Sequence, residues 1–220
     1  MYTVIIAHAP DLDLAPYLEQ IRTADLLIAA DGGALPLLRA NMLPHIAIGD
    51  FDSLDTPHEQ YLIEQQVEVQ RFPRAKDETD LELALMLAAQ RNATHIDILG
   101  ALGGRWDHTL ANVALLNHPA LRHRQVRLLA DQQTLFLVHD SSAIVGKTGD
   151  TVSLLPLTGS VQGVTTEGLL YPLQDTTLNY EQARGISNVL IQPPGSVRIQ
   201  SGLLLVVHHD DGGLHQWNIS

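Results

Sequence analysis

The chain has 220 residues, a hydrophobic fraction of 45% and a formal net charge of −12, from 13 basic and 25 acidic residues. That length fits one large domain or two small ones, and that much apolar sequence excludes an intrinsically disordered chain. The acidic balance excludes a nucleic-acid backbone as partner, which needs a basic face, and the lack of cysteine excludes disulfides and thiolate metal sites.

The first residues, Met1-Tyr2-Thr3-Val4-Ile5-Ile6, lack the basic n-region of a signal peptide and read as a strand over 3–7. No apolar run reaches the roughly 18 residues of a membrane helix, which points to a soluble cytoplasmic protein with no membrane partner. Further strands are predicted at 26–30, 46–48, 67–71, 96–99 and 126–129. Several are apolar at every position, as in strands covered on both faces. Helical patterns lie between them. The clearest spans 80–90, with Thr79 and Glu82 forming a capping box at its start, and another spans 109–116. This alternation predicts an α/β fold, a mostly parallel sheet with helices on both sides.

After residue 140 the helical pattern vanishes. Short β-rich runs follow at 151–155, 162–166, 187–191, 196–199, 203–209 and 215–219, separated by Gly, Pro, Asn and Asp. That spacing predicts an antiparallel β-sandwich or barrel. Segment 141–150, with Gly146 and Gly149, reads as the linker. The expected organisation is an α/β domain over 1–140 and a β-domain over 141–220.

Chemistry-bearing residues gather just past the predicted strand ends, where open α/β sheets bind ligands. Asp31-Gly32-Gly33 follows the strand at 26–30. Its glycines let backbone approach a ligand, although Asp-Gly is equally a common turn. Gly49-Asp50-Phe51-Asp52-Ser53 follows the strand at 46–48. Two carboxylates at i and i+2 can converge on a hard cation such as Mg²⁺, which shares its oxygen ligands with substrate phosphates. The run also reads as a polar turn, with Phe51 in the core and Asp52 or Ser53 capping the next helix.

Lys76-Asp77-Glu78-Thr79-Asp80 lies at a helix N-terminus, which attracts phosphate, and Lys76 adds a full charge. Asp80 can be a third metal ligand, while Asp77, Glu78 and Asp80 also suit an ordinary acidic first turn. Gly100-Ala101-Leu102-Gly103-Gly104-Arg105-Trp106-Asp107-His108 has three glycines, a carboxylate and an arginine that can hold phosphate oxygens bidentately. Its plainer reading is a glycine-rich turn with a surface arginine. Recurrence of these signals at strand ends and helix starts points to a metal-dependent enzyme acting on a phosphate compound. Gly146-Lys147-Thr148 resembles the end of a Walker A loop. Position 141, where the first glycine belongs, is Ser141, and no helix pattern follows, so it reads as a turn. His208-His209 has no partner at metal-ligand spacing, which argues against zinc.

The four segments at 31–33, 49–53, 76–80 and 100–108, in that order, resemble the thiamine pyrophosphokinase family. Asn112 also matches that pattern. Gly163-Val164-Thr165-Thr166-Glu167-Gly168-Leu169-Leu170-Tyr171-Pro172-Leu173 looks like the family's hairpin segment, and Ile186-Ser187-Asn188 like its late Ser-Asn signature. The resemblance therefore covers nearly the whole chain. It implies an N-terminal α/β domain, a C-terminal β-sandwich, and a homodimer with thiamine held in clefts between subunits. It implies transfer of pyrophosphate from ATP to the thiamine hydroxyl, giving thiamine diphosphate and AMP. Asp50, Asp52 and Asp80 are then expected around Mg²⁺ and the ATP phosphates, with Asp107 joining them as a catalytic residue. Lys76 and Arg105 contact phosphates, and Asp31, Asp77, Thr79 and Asn112 complete the nucleotide site. Ser187, Asn188 and Tyr171 line the thiamine pocket, unless Tyr171 is simply a core aromatic.

Three other readings stay open. One is a pyrophosphokinase for another alcohol, such as a hydroxymethylpterin. Another is a metal-dependent sugar transferase using the Asp-x-Asp pair, which leaves segments 76–80 and 100–108 unexplained. The third is a non-catalytic nucleotide or thiamine sensor, which has little need of several metal-directed carboxylates.

Overall fold

Six short parallel strands build the first half of the molecule. The structure, a computed structural model, describes residues 1–9 and 12–210. The chain separates into two compact units, Met1–Asp131 and Gln132–Ser220. The first unit runs β1 (Tyr2–Ile6), α1 (Leu18–Thr23), β2 (Leu26–Ala30), α2 (Ala34–Arg39), β3 (Ile46–Gly49), α3 (Thr56–Glu64), β4 (Glu68–Arg71), α4 (Asp80–Gln90), β5 (His95–Leu99), α5 (Trp106–Leu115) and β6 (Gln125–Ala130). The strand order is β6-β5-β1-β2-β3-β4, with every pair parallel.

Period-two alternation divides the apolar residues between two faces. Val4, Ile6, Leu27, Ala29 and Ala47 pack with Ile21, Leu37 and Leu62 from α1, α2 and α3. Ile5, Ile28, Ile46 and Ile48 point the other way and are fully buried. Helix α4 packs against β1, β2 and β3. Its Leu- and Ala-rich sequence favours helix and supplies six buried side chains. It starts where the capping pattern places it, because the Thr79 hydroxyl accepts from the Glu82 N–H at 3.2 Å.

The order puts β1, β2, β3 and β4 on one side and β5 and β6 on the other. The chain changes direction between β1 and β5. Such a switch point opens a crevice outside the carboxyl ends of the strands.

The second unit contains β7 (Gln133–Val138), β8 (Ser141–Ile144), β9 (Thr151–Pro156), β10 (Ser160–Glu167), β11 (Thr176–Asn179), β12 (Asn188–Val189), β13 (Gly195–Arg198) and β14 (Leu204–His209). Strands β12-β9-β14-β7 form one antiparallel layer and β11-β10-β13-β8 another. Val152, Leu154, Leu204 and Val206 from the first layer share one core with Ile144, Val161, Val164, Leu178 and Val197 from the second. This is the expected sandwich.

Several expectations need correction. Segment 141–150 is not a linker. Its first four residues form β8, paired with β13, and only Ile144 of them is fully buried, so the polar strand has no apolar alternation to reveal it. The units divide at 131/132 rather than at 140, because β7 pairs with β14. Strand 187–191 shrinks to Asn188–Val189, and Thr176–Asn179 was not foreseen as a strand. The strand expected at 215–219 lies outside the described residues. Among the described residues, no helix is long and apolar enough to cross a membrane.

Candidate active site

The exit of β2 is set by glycine. A Cβ on Gly33 would lie 2.0 Å from the Ile6 carbonyl oxygen, and one on Gly32 would lie 1.8 Å from His8 Nδ1. Only residues without side chains let this turn lie so closely against the end of β1. The close approach buries Asp31, which is 6% exposed and has a left-handed φ of 45°. Its Oδ1 has no hydrogen-bond partner.

One strand over, the exit of β3 presents Asp50 and Asp52. Phe51 between them is buried and also left-handed, at φ 60°. The Asp52 N–H donates to Asp50 Oδ1 at 3.1 Å. Carboxylate oxygens from Asp31, Asp50 and Asp52 all lie within 4.8 Å of one another. Neither Asp52 nor Ser53 caps the following helix; Asp55 does, accepting from the His58 N–H. The plain capping reading of this run is therefore wrong, whereas the burial of Phe51 agrees with it.

Helix α4 brings Asp80 to the same place. The missing Cβ of Gly49 would lie 3.1 Å from Asp80 Oδ1 and 3.2 Å from Asp31 Cα, so the end of β3 lies close against both residues. Lys76 bridges the group, with Nζ 3.0 Å from Asp80 Oδ1 and 3.5 Å from Asp50 Oδ2. Its side chain is only 11% exposed. Arg74 pairs with Asp52 at 3.1 Å.

Protonation behaviour follows from these neighbours. The hydrogen bond from Asp52 N–H holds the Asp50 carboxyl below its usual range, helped by Lys76. Burial pushes Asp80 up; the charges of Asp50 and Asp31 add to that, and Lys76 opposes it. Burial alone would lower the Lys76 pKa, but Asp80 and Asp50 outweigh it and the net shift is upward. Lys76 therefore stays charged among the carboxylates.

Asp31, Asp50 and Asp52 bring their carboxylate oxygens together, and Lys76 links Asp80 to Asp50 beside them. This is an all-oxygen donor set with a buried, unpartnered oxygen, and it fits a hard divalent cation such as Mg²⁺. Asp77 is exposed, and Thr79 serves as the helix cap.

Of segment 100–108, residues 100–105 form a loop fastened to α5, and 106–108 are the first residues of that helix. Asn112 Nδ2 donates to the Ala101 carbonyl at 2.7 Å, and the Gly103 N–H donates to Thr109 Oγ1 at 3.2 Å. Arg105 and Asp107 form a two-point pair with each other at the surface. Hydrogen bonding from Arg105 holds the Asp107 carboxyl low.

In the second unit, Asn188 is buried and holds the backbone of Tyr171. Its Oδ1 accepts from the Tyr171 N–H at 3.0 Å, and its Nδ2 donates to the Tyr171 carbonyl at 2.8 Å. The Tyr171 side chain is 65% exposed, so it is not a core aromatic. Ser187 is exposed with a left-handed φ of 57°, and its N–H donates to Ser153 Oγ. Gly146-Lys147-Thr148 is a connection between β8 and β9, where the Lys147 N–H bonds Asp150. His208 pairs with the buried Asp150 at 2.7 Å.

Three residues near the carboxylates escaped the sequence reading: His8, Arg71 and Arg74. Arg71 and Arg74 flank Phe72-Pro73 just before Lys76, and that basic run was the available signal. His8 carried none, since a lone histidine after a strand has no pattern.

Comparison with known proteins bears on the same two regions. Residues 17–130 match the model of the thiamin pyrophosphokinase catalytic domain, and residues 140–204 match that of the thiamin pyrophosphokinase vitamin B1 binding domain. A thiamine pyrophosphokinase of Bacillus subtilis is 32% identical over 189 residues, covering 84% of this chain and 88% of that protein. The crystal structure of thiamine pyrophosphokinase from Bacillus subtilis superposes with a TM-score of 0.84 at 28% identity, covering 96% of this chain and 100% of the other. The thiamin pyrophosphokinase of Candida albicans shares the fold, with a TM-score of 0.82 at 18% identity over 96% of this chain and 89% of that one. With both of its regions matched, and a curated relative above 30% identity along most of its length, this chain belongs to the thiamine pyrophosphokinase family.

Proposed function

We propose that the chain is a diphosphotransferase that moves the terminal pyrophosphoryl group of ATP onto the hydroxyl of thiamine. The hydroxyl oxygen attacks the β-phosphorus. The bond from that phosphorus to the α,β-bridging oxygen breaks, AMP leaves with the oxygen, and the hydroxyl proton is released to water. The observation that carries the reading is the gathering of Asp31, Asp50 and Asp52, with an orphaned carboxylate oxygen, at the carboxyl ends of β2 and β3 in a chain of this family. The match of 140–204 to a vitamin B1 binding domain favours thiamine over a pterin alcohol.

Asp31, Asp50 and Asp52 would hold Mg²⁺, with Asp80 beside them. Bound there, the ion would neutralise charge on the phosphate oxygens during in-line displacement. Lys76 is held charged by Asp80 and Asp50 and is placed to take up a phosphate oxygen. Arg105 is planar, exposed and, among the described residues, paired with its near neighbour Asp107, so it can turn to a phosphate. Asn112 and Thr109 hold its loop in shape, and Thr79 fixes the start of α4. Asp77 stands exposed ahead of that cap as a second-rank contact of the nucleotide site.

In the second unit, Asn188 presents Tyr171 and Ser187 stands next to it in the chain. Both exposed groups serve as contacts for thiamine. The reading includes a homodimer in the cytoplasm. In support of the dimer, Trp106 and Leu110 lie one turn apart on α5 at 78% and 67% exposure, and α5 has no buried residue. Apolar area of that kind is usual at interfaces between copies.

The test is to incubate the protein with ATP, Mg²⁺ and thiamine and to separate the products by chromatography. AMP and thiamine diphosphate, both absent with EDTA, are the expected result. AMP without the thiamine product would move the assignment to another acceptor. Intact ATP would favour a sensor.

A further inference from the structure

The turn that carries Asp50 and Asp52 is in a conformation that needs support. Phe51 has a side chain and a left-handed φ of 60°, a conformation unfavourable for such a residue. The support comes from β4. In the register of the parallel pair, Arg71 lies opposite Gly49, immediately before the turn. Its Nη1 donates to the Asp50 carbonyl oxygen at 2.9 Å. Its guanidinium also lies over the Phe51 ring, with Cζ 5.1 Å from the ring centroid. Its Nη2 is tied to Glu59 on α3, whose side chain is 19% exposed. One planar cation therefore touches two consecutive residues of the turn and is anchored on a neighbouring helix. Lysine cannot do all three, having no planar fork.

We propose that Arg71, anchored by Glu59, is a positioning residue for the carboxylate turn, holding Asp50 and Asp52 where their oxygens meet those of Asp31. The inference rests on the reading of these carboxylates as a divalent-cation site. Arg71 is not itself one of the clustered carboxylates. It acts on the backbone and ring between two ligands, as outer partners of metal ligands do. Loss of such partners typically weakens metal affinity about 10–100-fold.

The experiment is direct titration of the metal-free protein with Mn²⁺, following free Mn²⁺ by electron paramagnetic resonance. Thermal unfolding in EDTA accompanies each titration. The variants are Arg71→Gln, Arg71→Lys, Glu59→Gln and the double variant Arg71→Gln/Glu59→Gln. Expected is a rise in the Mn²⁺ dissociation constant of about tenfold or more for Arg71→Gln. Arg71→Lys, which keeps the charge but has a single donor nitrogen, recovers part of it. Glu59→Gln gives a smaller rise, and the double variant is no worse than Arg71→Gln alone. Equal Mn²⁺ affinity in wild type and Arg71→Gln overturns the proposal, as does additivity of the two substitutions. Should Arg71→Gln fold poorly, Glu59→Gln decides: unchanged Mn²⁺ affinity in that variant rejects the clamp. A wild-type protein that binds no Mn²⁺ removes the cation site itself, a failure distinct from that of the clamp.

Discussion

Replacing Asp31 by Asn should make the metal-free protein more stable while abolishing its metal response. Asp31 is 6% exposed, its Oδ1 is unpartnered, and among the described residues no ion pair engages it. Its carboxylate lies within 4.8 Å of those of Asp50 and Asp52. At that distance a pair of like charges repels by about 3.5 kcal/mol at an effective dielectric of about 20. Two such pairs would exceed the effect expected, because Lys76 and Arg74 offset the charge of Asp50 and Asp52 and water screens the part-exposed Asp52. Relief of about 1–3 kcal/mol remains once this screening is counted. Asn is isosteric and tolerates the left-handed φ of 45° found here. For a chain of this size that is a rise of roughly 2–10 °C in Tm. The assay is thermal unfolding of wild type and Asp31→Asn, each in EDTA and in excess Mg²⁺. The variant should melt higher in EDTA and gain nothing from Mg²⁺, whereas the wild type gains. A variant that melts lower in EDTA would refute the repulsion argument, and a full Mg²⁺ response in it would refute the placement of Asp31 among the ligands.

Two further tests concern the frame around the site. Tyr2 donates to the buried Asp97, which Arg127 also binds at two points. Burial and the Asp97 charge push the Tyr2 phenol above its usual range. Above pH 10 the unfolded chain releases this proton and the folded one keeps it, so stability falls by up to about 1.4 kcal/mol per pH unit. Tyr2→Phe should flatten the stability profile between about pH 10 and 11, measured by urea unfolding; an unchanged slope would reject the cause. Gly32→Ala and Gly33→Ala should both destabilise, with different remedies. The new methyl at 32 meets the His8 side chain, so His8→Ala in the same chain should restore most of the lost Tm. The methyl at 33 meets the Ile6 carbonyl, part of the backbone, and His8→Ala should restore nothing there.

Most of the first unit was legible because its physics is local. Strand 26–30 and helix 80–90 appear at the expected bounds. The strand is apolar throughout and buried on both faces, and the helix has its cap in the sequence. Strands 133–138 and 141–144 were missed for different reasons. The first has a good apolar run, but it follows the last parallel strand so closely that the change of sheet type leaves no mark. The second has one core residue in four, and its pairing with β13 joins residues more than fifty positions apart. Nothing near Ser141 could report that.

The site was legible to the extent that its residues obey a rule of position. Each strand of an open parallel sheet ends at the same edge, so the residues after β2 and β3 had to be neighbours once the strands were. Which carboxylates lie nearest is a finer matter. Asp50 and Asp52 announce themselves by spacing, and Asp80 by its place at a helix start. Asp31 joins them because glycines press its turn against β1, a close approach that involves the Ile6 backbone and His8 and is invisible in local sequence. Lys76 shows the same limit. Four residues before Asp80 it reads as a phosphate ligand at a helix N-terminus, and it can be one. In the fold it also balances Asp50, in the turn after β3, 26 positions earlier. A cation so placed lowers the cost of crowding these carboxylates. Its position at a helix start is local and legible, whereas its link to Asp50 depends on the neighbouring strand exits meeting in the fold.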